Sequence, residues 1–299
     1  MTKGAPPLAG LRLGAWRVLW RLLRRRGFLN IGVGGVTIRA RLAGLSSRYL
    51  ARAVPDPIRA DGHVIFHGFG SEESMRMATG AYEPETTAII RALLRPGQTF
   101  VDVGAHVGYF TLLGARAVGP TGQVYAFEPA PTNLAVLAKN IQANGYDGRV
   151  TVVPKAVSNR SGTSRLFVAD SDSMWHTILP HWGGTHIEVV TTTLDEFFEQ
   201  AGWPPIHFVK IDVEGAEKEA LEGMAGLSRR NPWLKLAVEF ATSNFPPGND
   251  PEDVFRVLRD LGFVRLSIIS RELIPVGSHR EMLERSPASA SWSNLLCEK

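Results

Sequence analysis

Residues 99–108 read TFVDVGAHVG, and the reading of the whole chain works outward from them. A short apolar run ends in Asp102, the chain turns on Gly104 and Gly108, and YFTLLGARAV continues with the spacing of a helix. Strand, glycine turn and helix start together make a local geometry that brings backbone close to a small polar ligand.

On either side the same rhythm repeats. Upstream, AYEPETTAIIRALLRPGQ (81–98) predicts a helix, with Pro84 early, an apolar face of Ile89, Ile90, Leu93 and Leu94, and a stop at Pro96-Gly97. Downstream come a strand in QVYAFEP, a helix in NLAVLAKNIQANG and a strand in RVTVVPKA. Strand and helix alternating at this pace are βαβ units, whose strands pair in parallel. Residues 162–193 interrupt the rhythm with two strands, TSRLFVA and IEVVTTT, around the loop DSDSMWHTILPHWGG. Alternation resumes with a helix in LDEFFEQAG, a strand in HFVKIDVEG, one helix in AEKEALEGMAGL, a strand in LKLAVEF and a helix in PEDVFRVLRDLG. FVRLSIIS and SWSNLLCEK then follow with only a loop between them, which favours an antiparallel pair at the sheet edge. The expected fold is α/β and Rossmann-like: a mostly parallel seven-stranded sheet, from 99–103 to about 291–297, with an antiparallel last strand.

Bulk properties agree with such a domain. The chain has 299 residues, 44% hydrophobic and 21% charged, and its one cysteine, Cys297, excludes an intramolecular disulfide and a cysteine-based metal site. The net charge of +4 conceals an asymmetry: residues 1–60 carry twelve Lys/Arg against Asp56 alone, leaving 21 against 28 for the rest. The basic head centres on residues 8–26, where Arg17, Arg21, Arg24 and Arg25 fall on one side of a helical wheel and leucines, Trp16 and Trp20 fill the remainder. No apolar run there approaches the ~20 residues that span a bilayer, and the arginines break up a signal-peptide core. The leading reading is a helix packed on the main domain or a partner subunit; the second is peripheral contact of residues 8–26 with an anionic membrane surface. Residues 30–70 read as short strands in IGVGG, VTIRARLAG and HVIFHGFG, with PDP between the last two. His63 and His67 have no third ligand nearby, so no metal is placed there. The expected division is a basic N-terminal extension over 1–75 and a main domain over 76–299, with the strand–loop–strand insertion at about 162–193.

The chemistry of the turn narrows the ligand. Asp102 ends one strand and Glu128 ends the next, 26 residues later. Neighbouring strand ends line the crevice of an open parallel sheet, so Glu128 is placed to accept hydrogen bonds from both hydroxyls of a ribose. Around Gly104, Ala105 and Gly108 no bulky side chain keeps backbone from a ligand. A dinucleotide fingerprint needs a second glycine two residues after the first; here that residue is His106. Asp102 repels phosphate but tolerates a zwitterionic, cationic ligand, which favours S-adenosylmethionine over NAD.

Together the motifs DVGAHVGYFT (102–111), AFEP (126–129) with Asn133, KAVSN (155–159), TTLDEF (192–197) and KIDVEGAE (210–217) resemble the FkbM-type S-adenosylmethionine-dependent methyltransferases over about Gly80 to Phe240. The resemblance implies a Rossmann-type methyltransferase domain that methylates hydroxyls of sugars and macrocyclic natural products. It implies that Asp102, Gly104, Ala105 and Gly108 hold the amino-acid end of the cofactor, that Glu128 holds the ribose, and that Lys155 and Ala156 flank the adenine. The chain departs from the family at His106, where Asn is usual; a backbone role survives that change.

A hydroxyl acceptor must lose its proton during attack, and the base must sit at the carboxyl ends of the strands. Asp212 and Glu214 end KIDVEG, and His176 in the inserted loop has a suitable ordinary pKa; these are the catalytic candidates. Capping or dipole contacts are the structural alternatives for the two acids, whereas Asp195 and Glu196 read as ordinary N-terminal acids of a helix. Trp175, His176 and Glu239 are the substrate-binding candidates, because aromatic faces beside polar groups suit a sugar ring or a polyketide. Asp212 and Glu239 with substrate oxygens would suffice for a divalent cation, but no metal is assigned. The expected partner is a small-molecule or glycan acceptor, without nucleic acid, in the cytoplasm or peripherally at the inner face of the membrane. A non-catalytic adenosyl-ligand module and a methyltransferase of another acceptor such as nucleic acid stay open as alternatives.

Overall fold

The structure is a computed structural model that describes residues 56–67, 72–168, 177–178, 185–241, 250–286 and 293–299. The helix expected at 8–26, the strands expected in IGVGG and VTIRARLAG, and Met174, Trp175, His176, His181 and Trp182 lie outside the described residues. The chain divides into two units, residues 1–84 and 85–299.

In the first unit, β1 (Ile58–Ala60) and β2 (His63–Ile65) form an antiparallel hairpin. Its turn is Asp61-Gly62 with φ of 51° and 80°, the two left-handed residues that a tight primed turn demands. Only the second of these strands was expected from the sequence. A helix, α1 (Glu72–Thr79), follows where none was expected; at eight residues it is shorter than the window of about 11–18 over which helical periodicity is read.

The second unit begins with α2 (Pro84–Leu93), whose Pro84 sits at its first position. Then come β3 (Thr99–Val103), α3 (Tyr109–Val118), β4 (Gln123–Phe127), α4 (Pro131–Ala143) and β5 (Val150–Val153). The chain leaves the main sheet at β6 (Ala156–Val157), which pairs in parallel with β8 (Thr185–Thr192); β8 pairs antiparallel with β7 (Gly162–Val168). The inserted pair therefore belongs to a three-stranded sheet of its own. After α5 (Leu194–Gln200), capped by Thr193, β9 (Phe208–Ile211) returns to the main sheet. The single helix expected over 216–227 is two, α6 (Glu217–Glu222) and α7 (Ala225–Arg230). They part at Gly223, where a Cβ would lie 2.3 Å from the Ser158 carbonyl oxygen. Asp195 accepts hydrogen bonds from the amides of Gly226 and Leu227, both at 2.7 Å, and so caps α7 from a neighbouring helix.

The chain ends with β10 (Lys235–Phe240), α8 (Glu252–Asp260), β11 (Arg265–Ile268), β12 (Ile274–Pro275), α9 (His279–Arg285) and β13 (Ser293–Glu298). The main sheet has the order β12-β11-β13-β10-β9-β3-β4-β5. Pairing is parallel from β10 through β5, whereas β13 is antiparallel to both β10 and β11. The antiparallel pair expected at the sheet edge is present at that end of the sheet; within it β13 lies on the inner side, between β10 and β11, and β12 and α9 occupy the connection that reads as a loop. The reason lies in β13 itself: Ser293 through Cys297 are all buried, which an edge strand does not require.

Successive strand residues point to opposite faces of the sheet. Val101, Val103, Val209, Ile211, Val238 and Phe240 meet Phe198, Leu221, Leu227 and Phe255 on one face, forming the main core. On the other face Phe100 and Phe208 stack 5.9 Å apart, and toward the carboxyl end the side chains turn polar: Asp102, Lys210, Asp212 and Glu239.

Candidate active site

The site is built where that second face loses its apolar character. A pleated strand puts residues two apart on the same side, so FVKID carries Phe208, Lys210 and Asp212 on one side of β9. Asp102 of β3 stands in register with Lys210, and Glu239 is one step past the last β10–β9 pair, Val238 with Ile211. Asn294 of β13 pairs with Glu239, and its Nδ2 donates to Thr86 Oγ1 of α2 at 2.9 Å. Thr87 Oγ1 lies 3.4 Å from the Tyr109 hydroxyl of α3. A row of polar side chains thus crosses four strands, with α2 and α3 contributing hydroxyls.

The glycine turn is held by the protein. The amides of Gly104 and Ala105 both donate to the Phe127 carbonyl, at 3.0 and 2.9 Å, that of Gly108 donates to Ala105 at 2.8 Å, and that of His106 donates to Glu128 Oε2 at 2.8 Å. With these four donors spent, the turn is a poor cradle for pyrophosphate, which needs free amides. The glycines also serve packing, which the sequence reading assigned to ligand approach. A Cβ on Gly104 would lie 1.8 Å from the Asp212 carbonyl oxygen, and one on Gly108 would lie 2.5 Å from Leu137 Cδ1. His106 has φ of 51°, a left-handed conformation that His and Asn adopt more readily than most residues, so the exchange of one for the other is conformationally mild.

Two buried carboxylates stand at this turn. Asp102 is buried; its Oδ2 accepts a 2.6 Å hydrogen bond from Thr111, and its Oδ1 has no partner. Burial pushes its carboxyl up, against the pull of the Lys210 ammonium. A buried carboxylate oxygen without a donor is costly unless a cation meets it. Glu128, also buried, accepts from Ala130 N at 2.9 Å and Asn133 Nδ2 at 3.3 Å on Oε1 and from His106 on Oε2. Burial pushes it up to about 7 despite these donors. A carboxylate has about four acceptor positions, so room for a further donor remains on Oε2.

Asp212, Glu214 and Glu239 each bring an oxygen to within 4.8 Å of the others. Burial alone would raise Asp212; the Lys210 ammonium, 2.6 Å from Oδ2, and a hydrogen bond from Glu239 hold it below the usual carboxylate range instead. Three hard oxygens at this spacing resemble what a divalent cation uses. The ammonium already at Asp212 supplies the cluster with countercharge, and no metal is assigned to it. Glu214 has φ of 52° in the turn beyond Asp212, and Glu217 Oε1 ties that turn by accepting from Val213 N and Gly215 N at 3.2 and 3.1 Å. Burial pushes Glu217 up to about 7.

Among the sequence-selected residues, the structure brings Asp102, Gly104, Ala105, Gly108 and Glu128 to one turn, and Asp212, Glu214 and Glu239 to the next strand ends. Lys155 is half-buried and Ala156 packs with Ala130, Leu166 and Val189, beside the helix start that follows Glu128. Trp175 and His176 lie outside the described residues. Lys210, Thr111, Asn294, Thr86 and Glu217 received no role from the sequence. For Lys210 the signal was available: a lysine two residues before an acid on a buried strand must share its face.

Residues 102–265 match the family model described as "Methyltransferase FkbM domain". The chain is 30% identical over 162 residues to the 31-O-demethyl-FK506 methyltransferase FkbM of Streptomyces tacrolimicus, covering 44% of this chain and 61% of that protein. It is 27% identical over 182 residues to the hexuronic acid methyltransferase AglP of Haloferax volcanii, covering 58% and 67%. The first of these matches therefore spans under two thirds of the relative. Among solved structures, a methyltransferase FkbM from Methylobacillus flagellatus KT shares 13% identity, with 87% of this chain and 60% of that one covered and a TM-score of 0.43.

Proposed function

The chain belongs to the FkbM methyltransferase family, and on that premise we propose that it transfers a methyl group from S-adenosylmethionine to a hydroxyl of a sugar or a secondary metabolite. The observation that carries the reading is the pairing, across adjacent strand ends, of a buried unpartnered Asp102 oxygen with the acid cluster of Asp212 and Glu239. The residues fit this cofactor. Asp102 Oδ1 would pair with an ammonium, the remaining acceptor position of Glu128 would take a ribose hydroxyl, and a turn with four of its amides already donated within the protein suits a ligand whose near end is cationic.

When bound, the cofactor supplies an electrophilic methyl that is already activated. What falls to the chain is alignment and a base. Asp212, kept ionised by Lys210, takes the acceptor's proton, and Glu239 stands beside it. An oxygen acceptor is supported by the two relatives named for 31-O-demethyl-FK506 and for hexuronic acid.

Incubation of the full chain with methyl-labelled S-adenosylmethionine and a panel of glycans and macrocycles tests the reading. Label should pass to a hydroxyl acceptor with the native chain and not with Asp102→Ala. If the cofactor binds and no preparation accepts label, the non-catalytic adenosyl-ligand module replaces the enzyme.

A further inference from the structure

We propose that Lys210 is a positioning residue: its buried ammonium fixes which member of the Asp212–Glu239 pair is the free carboxylate, and so makes Asp212 the base. The proposal deepens the methyltransferase reading and rests on it for the word base, but not for the charge state.

The geometry is specific. Lys210 is 2% exposed, its Nζ lies 2.6 Å from Asp212 Oδ2, and the Phe110 ring of α3 covers it with the centroid 4.5 Å away. Asp102 stands in register beside it on β3. One buried cation is therefore set among acids on its own strand and on the neighbouring strand, and the side chain of its partner Asp212 is 19% exposed. Two carboxylates at hydrogen-bond distance cannot both stay ionised cheaply; they hold a proton between them, and the environment selects its owner. The groups facing Asp212 are Lys210 on β9, Glu239 on β10, Asp102 and His106 on β3 and its turn, Glu214 in its own loop and Glu217 on α6. Of these, Glu239, Asp102, Glu214 and Glu217 are acids, and the other two are the Lys210 ammonium and the imidazole of His106. Lys210 is the cation in direct contact with Asp212, 2.6 Å from Oδ2, and its charge keeps the shared proton away from Asp212.

The test uses the full chain with 13C-labelled aspartate carboxyls, titrated by NMR, with Asp212→Asn to assign the signal. Native Asp212 should be ionised at pH 6. Lys210→Met should move its midpoint upward by about one to two pH units, and Lys210→Arg should restore most of the native behaviour. A midpoint that Lys210→Met leaves in place overturns the proposal. So does a native Asp212 that is protonated at pH 6, a result that stands whether or not the Met variant folds. These readouts need no acceptor, so they stand or fall separately from the methyltransferase reading. With an acceptor in hand, kcat of Lys210→Met should fall most at acid pH and recover toward pH 8 with the acceptor KM retained. A loss uniform across pH marks a merely structural lysine and overturns the proposal.

Discussion

At the scale of single residues, the site is a distribution of charge in a buried place. Asp102 has one oxygen satisfied by Thr111 and one without a donor, so it is poised for a cation. Asp102→Asn keeps the shape and removes the charge. Calorimetry with S-adenosylmethionine should show affinity down roughly 10- to 100-fold, the ~1.5–3 kcal/mol of a charge-assisted hydrogen bond. The melting temperature should hold or rise, because the substitution also removes a buried charge. Unchanged affinity would remove Asp102 from the cofactor's contacts. Asp102 and Glu128 were legible as acids ending adjacent strands. The unpartnered oxygen was not, since it depends on Thr111 arriving from α3.

At the scale of elements, the turn between β3 and α3 is where two chain segments nearly collide. Gly104 has φ of 82°, and its missing Cβ leaves space for the Asp212 carbonyl oxygen of the β9 turn. Gly104→Ala should destabilise the domain by about 3 kcal/mol or more, since left-handed strain and a backbone clash act together. A thermal melt would show this, and a loss under about 1 kcal/mol would mean that the two turns separate easily. A glycine after a strand-ending acid announced a turn. That it also packs against the next strand's turn required the register of β3 with β9. The helix break at Gly223 has a similar origin, in the Ser158 carbonyl far away in sequence.

At the scale of the whole molecule, two buried acids latch the two turns, Glu128 at His106 and Glu217 at Val213 and Gly215. Both are pushed up to about 7 from 4.5 by burial. The folded chain therefore binds more protons than the unfolded chain between those pH values, and stability falls as pH rises. Their contribution is full below about pH 4.5 and lost through about pH 7, at most roughly 3 kcal/mol each. Melts of the native chain should be lower at pH 8 than at pH 5.5. Glu217→Gln, which keeps the Oε1 acceptor, should flatten that slope; a native melt that rises over the same range contradicts the assignment.

The sequence by itself determined the α/β alternation, the glycine turn, the acids at strand ends and, through five ordered motifs, the family. These are local signals: apolar periodicity, turn chemistry and strand-end acids need only neighbours in the chain. Tertiary structure decided where β13 inserts, why Gly104 must be glycine, and that Asp102 lies alongside the Lys210–Asp212 pair. Those depend on which strands become neighbours, and strand order is set by burial of whole faces rather than by any short stretch. TFVDVGAHVG pointed to the cofactor; the row of side chains from Asp102 to Asn294 is what the folded sheet adds to it.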